Sequence, residues 1–138
     1  MLLALDSNVF IAALSQEEAN SPIAQKLVRD IARGKHRAVA SSIAYGEILS
    51  ITTSHDDKLD LESFFARIEN LSTVPADDNV CLKAGQLRAK YGPKLKLPDA
   101  LHTATAKLEG ADMFITNDIP LAKISQELLP TTLLSEWQ

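Results

Sequence analysis

The sequence of 138 residues contains one cysteine, Cys81, so no disulfide can form within the chain and any fold must rest on its apolar core. With 46% hydrophobic residues, a single domain spanning 1–138 can bury such a core unaided. Within the apolar pattern Val80, Leu82, Ala84, Cys81 reads as a buried packing residue rather than a nucleophile. No apolar run approaches the ~20 residues of a membrane span, and the opening Met1-Leu-Leu-Ala-Leu meets Asp6 too soon to be a signal peptide. Together these absences predict a soluble, cytoplasmic protein. Cys/His spacing for zinc is missing, as is a glycine-rich phosphate loop. An excess of basic charge is missing too. The net charge of -4 argues against nucleic-acid binding by bulk electrostatics, but a metal in an acidic cleft inverts the local field, so a phosphodiester substrate stays open. No internal repeat, low-complexity segment or linker is visible.

What the chain does contain is short apolar runs alternating with longer helical patterns. Leu2 to Leu5 is an apolar run ending in Asp6-Ser7-Asn8, a buried strand feeding a helix capped by Asp6 or Ser7 and continued by Val9, Ile11, Ala12 and Leu14. Ser21 as cap and Pro22 at the first position open a second helix, striped by Ile23, Leu27 and Ile31 and stopped by Gly34. Arg37 to Ala40 is a brief strand, and Ser42 starts a third helix that carries Glu47 more than a turn inside it. After the polar break Ser54-His55-Asp56-Asp57, the apolar residues Leu59, Leu61, Phe64, Phe65 and Ile68 recur at helical spacing. Leu71 to Val74 is the next strand. Asp77 to Lys90 reads as a helix closed by Tyr91-Gly92-Pro93, and a loop bearing Lys94 and Lys96 leads to Pro98-Asp99 and a helix over Ala100 to Glu109. Met113 to Thr116 is a strand, Asn117-Asp118 a turn, Pro120 to Leu128 a helix and Thr131 to Leu134 a last strand. The pattern predicts an α/β fold, three layers α/β/α around a central parallel sheet of about four to five strands.

Four carboxylates stand at strand ends or helix starts: Asp6, Glu47, Asp99 and Asp118. Singly each is ordinary, since Asp6, Asp99 and Asp118 are all placed to cap helices and Glu47 could face solvent. In a parallel sheet, however, strand ends and helix starts share the carboxyl edge, where such folds bind ligands. Hard oxygen ligands gathered there suit Mg²⁺ or Mn²⁺.

At these residues the chain resembles the PIN-domain nucleases, especially the toxin ribonucleases of VapC type. The resemblance rests on Leu5-Asp6-Ser7-Asn8, on Ser42-Ile43-Ala44-Tyr45-Gly46-Glu47, on Leu97-Pro98-Asp99-Ala100-Leu101-His102-Thr103-Ala104-Thr105-Ala106, and on Phe114-Ile115-Thr116-Asn117-Asp118. It implies one or two Mg²⁺ or Mn²⁺ ions among the four acids, hydrolysis of RNA, and an antitoxin partner lying across the groove. It also implies roles: Asp6 and Asp99 as direct or water-bridged ligands, Glu47 as a ligand or an orienter of the attacking water, and Asp118 behind them or at a second ion. Thr116 and Asn117 then act as hydroxyl and amide helpers, and Ser7 and Asn8 hold the adjacent phosphate. A bound ion of this kind activates water for in-line attack on phosphorus and neutralises charge on the phosphate oxygens.

His102 lies three residues after Asp99 on nearly the same helix face, yet its apolar neighbours make it a packed or hydrogen-bonded histidine, outside the catalytic set. His36 and His55 read as surface residues. Arg29, Arg33, Lys35, His36 and Arg37 form a basic cluster best explained as a solvated face. Lys90, Lys94 and Lys96, beside Asp99, are better placed to touch phosphates. Tyr45 and Tyr91 are stacking candidates that more simply belong to the core. The Ile23–Ile31 and Leu59–Ile68 stripes are core first and a homodimer face second. Three other readings remain: a non-catalytic interaction module, a housekeeping RNA-processing nuclease without an antitoxin, and a receiver-like phosphoacceptor. The last lacks an acid pair after the first strand and the downstream lysine it would need.

Overall fold

The computed structural model describes residues 1–51 and 57–138, apart from the side chains of 57–59. The polar break with His55, and the side chain of Leu59, lie outside the described residues. Five strands are β1 (Leu2–Leu5), β2 (Arg37–Ser41), β3 (Leu71–Val74), β4 (Met113–Thr116) and β5 (Thr131–Leu133). Among the described residues the helices are α1 (Ser7–Leu14), α2 (Ser21–Ala32), α3 (Ile43–Leu49), α4 (Asp57–Ala66), α5 (Asp78–Tyr91), α6 (Leu97–Leu108) and α7 (Ile119–Ser125).

The strands form one sheet in the order β3-β2-β1-β4-β5, parallel throughout. Alternate side chains along each strand enter opposite layers, as the pleat requires. Leu3, Leu5, Ala38, Ala40 and Ile115 pack with α1, α2, α3 and α4, whereas Ala4, Val39 and Phe114 pack with α5, α6 and α7. The result is the expected three-layer α/β/α arrangement. The small side chains Ala100, Ala104 and Ala106 of α6 are fully buried against the same face as Ala4.

From β1 the chain winds outward to β2 and β3, then crosses back through α5 and α6 to place β4 on the other side of β1. Connections that diverge from neighbouring strands leave a crevice at their carboxyl ends. Here that crevice lies beyond Leu5 and Thr116, and the residues following those strands are the ones singled out for chemistry.

Several local expectations are corrected. Cys81 is exposed, because α5 turns Val80, Ala84 and Leu87 to the sheet, and this spacing leaves Cys81 and Leu82 facing outward. Helix α6 begins at Leu97, with Lys96 as its cap and Pro98 within its first turn, so Asp99 lies inside that turn and does not cap it. Asn20, not Ser21, occupies the cap position of α2. His36 is half-buried, its ring 5.6 Å from that of Trp137. In the first basic cluster Lys35 pairs with Asp30 at 3.0 Å. Tyr45 and Tyr91 pack against the core as expected, Tyr45 on Phe65, while the Tyr91 hydroxyl donates to Glu127. As expected of core stripes, Leu27, Ile31, Leu61, Phe65 and Ile68 are all buried.

Candidate active site

Asp6 follows β1 directly and is 3% exposed. Its extended backbone makes it the cap of α1, and Oδ1 accepts from the Ser7 amide at 2.7 Å. Oδ2 accepts from the Thr116 hydroxyl at the end of β4, also at 2.7 Å. The two central strands are thus joined at their ends through this carboxylate. Burial raises the pKa of Asp6, and Glu47 adds to the rise, while His102, Thr116 and Ser7 oppose it.

Asn8 secures the same junction from α1. Its side-chain nitrogen donates to Thr116 Oγ1 at 3.3 Å, and its oxygen accepts from the Asn117 amide at 2.9 Å. Asn20 in turn donates to Asn117 Oδ1 at 2.8 Å. The side chains of Asn8 and Asn117 are therefore engaged within the protein, and Ser7 is buried with its hydroxyl 3.4 Å from Asp6 Oδ1. Asn20 escaped sequence reasoning, and no local signal pointed to it: its partner lies 97 positions away.

Glu47 projects from α3, and His102 from α6 meets it, Nε2 to Oε1, at 2.5 Å. The same nitrogen lies 3.6 Å from Asp6 Oδ1. Burial alone would raise the Glu47 pKa, but the hydrogen bond and charge of His102, with help from Ser7, bring it below the usual value. For His102, burial works against the charged form, yet Glu47, Asp6 and Asp99 outweigh it and raise its pKa. His102 is the residue that sequence reasoning set aside as packed or hydrogen-bonded; it is both, and its bond is to one of the four acids.

Asp99 differs from the others. No donor among the described residues bonds its carboxylate. Burial first, then the charges of Asp6 and Asp118, push its pKa up to about 6, with His102 opposing and Glu47 adding a little. Asp118 is half-buried and caps α7, its Oδ1 accepting from Leu121 N at 3.1 Å, while its own amide donates to Thr116 Oγ1. Asp99 therefore senses the other three acids, and Asp6 also senses Glu47. Lys94 and Lys96 are exposed just before α6, and neither has an acidic partner among the described residues.

Among the described residues no three acidic, histidine or cysteine groups converge closely enough to enclose a metal ion by themselves. The donor chemistry nevertheless fits a hard divalent cation: Asp99 is a half-buried carboxylate without a donor, facing two more acids. Mg²⁺ keeps several of its waters and takes only one or two carboxylates directly, which suits an open cluster.

The chain matches the PIN domain over residues 3–127. It belongs to the PIN domain family. This is a family of nucleases. No curated protein sequence matches the chain. Solved structures similar to this PIN domain include VapBC2 from Rickettsia felis bound to a promoter DNA fragment, with a TM-score of 0.70 and 20% identity over 96% of this chain and 98% of that one. VapBC-1 from nontypeable Haemophilus influenzae has a TM-score of 0.70 and 18% identity, covering 99% and 100% of the two chains. FitAcB from Neisseria gonorrhoeae has a TM-score of 0.69 and 18% identity over 99% of each. At such identities the likeness establishes the fold. Among the described residues, no helix is long and apolar enough to cross a membrane.

Proposed function

We propose that this PIN domain is a metal-dependent endoribonuclease that hydrolyses RNA phosphodiester bonds and forms the toxin half of a toxin–antitoxin pair in the cytoplasm. One observation carries the reading: half-buried Asp99, with no donor among the described residues, lies close enough to Asp6, Asp118 and Glu47 to feel the charge of all three. A carboxylate raised by its acidic neighbours gains most from a cation.

Asp6 and Asp99 would hold Mg²⁺ or Mn²⁺, with Glu47 and Asp118 completing the negative rim. When bound, such an ion polarises the phosphate and lowers the pKa of water. The chain's own contribution is to position these groups. Thr116 and the Ser7 amide fix both oxygens of Asp6, so its orientation does not depend on ligand. Asn8 and Asn117 act one step further back, by locking α1 to the end of β4. Lys94 and Lys96 supply exposed positive charge at the start of α6, where they would contact the RNA backbone without reading its sequence. An antitoxin partner is supported by the similar structures, which include VapBC complexes and a toxin-antitoxin complex from Klebsiella pneumoniae.

Purified protein should cleave RNA with Mg²⁺ or Mn²⁺ and stop when chelator is added. Undiminished cleavage in chelator would overturn the metal requirement. No cleavage with either ion, in a folded protein free of any partner, would favour a non-catalytic interaction module. The reading frame beside the gene separates toxin from housekeeping nuclease, since a toxin should have an antitoxin encoded next to it.

A further inference from the structure

We propose that His102 is the positioning residue that brings Glu47 into the acid cluster, an inference that rests on the metal-dependent reading above. The four acids are not placed with equal security. Asp6 is fixed by the Ser7 amide and the Thr116 hydroxyl, and Asp118 by its cap bond to Leu121. Glu47 has a long side chain on α3, a helix of seven residues, and that side chain is 33% exposed. Ser7 gives it a lesser contact, and without His102 it would still sample many rotamers. His102 meets it from α6, a different element on the opposite side of the sheet from α3, across 55 positions of sequence.

Among the described residues the ring has no other polar duty. Its side chain is 1% exposed, and among the described residues Nδ1 has no partner while Nε2 reaches Glu47 at 2.5 Å and Asp6 at 3.6 Å. A histidine retained for packing alone would leave both nitrogens idle, and a leucine would fill the space at less cost in buried polarity. A hydrogen-bond partner that orients a metal-binding carboxylate is also a recurrent feature of metal sites. His102 therefore controls cation binding through Glu47 without holding the cation itself.

The test is a double-mutant cycle on the full chain, reading Mn²⁺ affinity by calorimetry with melting temperature alongside. His102→Leu should weaken Mn²⁺ binding by roughly tenfold, in the range found for such outer partners. His102→Gln, whose amide can still donate to Glu47, should recover binding to within about threefold of wild type. In a Glu47→Gln background, His102→Leu should change the affinity by less than about twofold, because the pathway is already cut. An unchanged affinity in His102→Leu, or an equal loss in both backgrounds, would overturn the proposal. If His102→Leu does not fold, His102→Asn replaces it: its amide is too short to reach Glu47, so it should weaken binding as the leucine would, and unaltered affinity would refute the proposal. A wild type that binds no Mn²⁺ removes the metal reading and this inference together. Binding that is lost in Asp99→Asn but intact in His102→Leu removes this inference alone.

Discussion

Asp30 and Asp99 are both helical aspartates withdrawn from solvent, and the protein treats them in opposite ways. On α2, Asp30 receives Lys26 at 2.8 Å and Lys35 at 3.0 Å, and these bonds pull its pKa down to about 2. On α6, Asp99 receives no lysine or arginine among the described residues, and burial together with Asp6 and Asp118 pushes its pKa up to about 6. The chain has 14 lysines and arginines, so the difference is not a shortage of positive charge. Asp30 is completed by the chain itself and belongs to the structure. Asp99 is left to be completed from outside, which is what a binding site requires.

The largest effect of breaking this contrast falls on catalysis. Asp99→Asn and Asp6→Asn should each reduce RNA cleavage by about 100-fold or more, equivalent to at least about 2.7 kcal/mol of lost barrier reduction, with circular dichroism unchanged. Asp118→Asn should be milder, since asparagine also caps a helix well and Asp118 already serves as the α7 cap.

Next in size is the stability of the metal-free protein. An unfolded Asp99 titrates near 3.8 and the folded one near 6, so the folded chain binds the extra proton between those values. Its contribution to stability is therefore present below about pH 4 and is lost as pH rises through 6. Above pH 6, Asp99→Asn in chelator should exceed wild type by about 1–2 kcal/mol, a figure already reduced for the solvent that screens a half-buried carboxylate. Denaturant titrations across pH 4–8 measure it. Asp30 provides the opposite sign: its depressed pKa contributes stability above about pH 4 that is lost as pH falls towards 2. Asp30→Asn should thus lower the melting temperature at neutral pH and converge on wild type in acid.

The smallest effect concerns the exposed lysines. Replacing Lys94 and Lys96 by alanine should weaken RNA binding and flatten the slope of log affinity against log salt by roughly one unit for each phosphate that a lysine neutralises. An unchanged slope would assign both to ordinary surface charge.

Much of this contrast was legible in the sequence. Buried parallel strands read as short apolar runs, so Leu2–Leu5 and Met113–Thr116 could be placed to the residue, and the partly buried edge strand Leu71–Val74 was bounded by the Pro75 that follows it. Asp6 and Asp118 were recognisable because each follows such a run. What stayed hidden depends on which way a helix faces and on distant partners. Cys81 lies in an apolar stretch, but α5 was already anchored through Val80, Ala84 and Leu87, and helical geometry turns the adjacent positions away. Pro98 read as a break before α6, although proline is well suited to a first turn, and this moved Asp99 from cap to helix interior. The pairing of His102 with Glu47, and the bonds from Asn8 to Thr116 and Asn117, join residues from 55 to 109 positions apart. No local spacing encodes such pairings; they exist only once the sheet has formed.

The central claim, that Asp99 is completed by a cation from outside the chain, is tested most directly by melting wild type and Asp99→Asn in chelator and in Mn²⁺. At about 100 times its dissociation constant, an ion that binds only the folded protein stabilises it by about 2.7 kcal/mol. Wild type should therefore melt lower than the variant in chelator and rise clearly with Mn²⁺, while the variant should barely respond. Equal shifts in the two proteins, or a variant less stable than wild type in chelator at neutral pH, would contradict it.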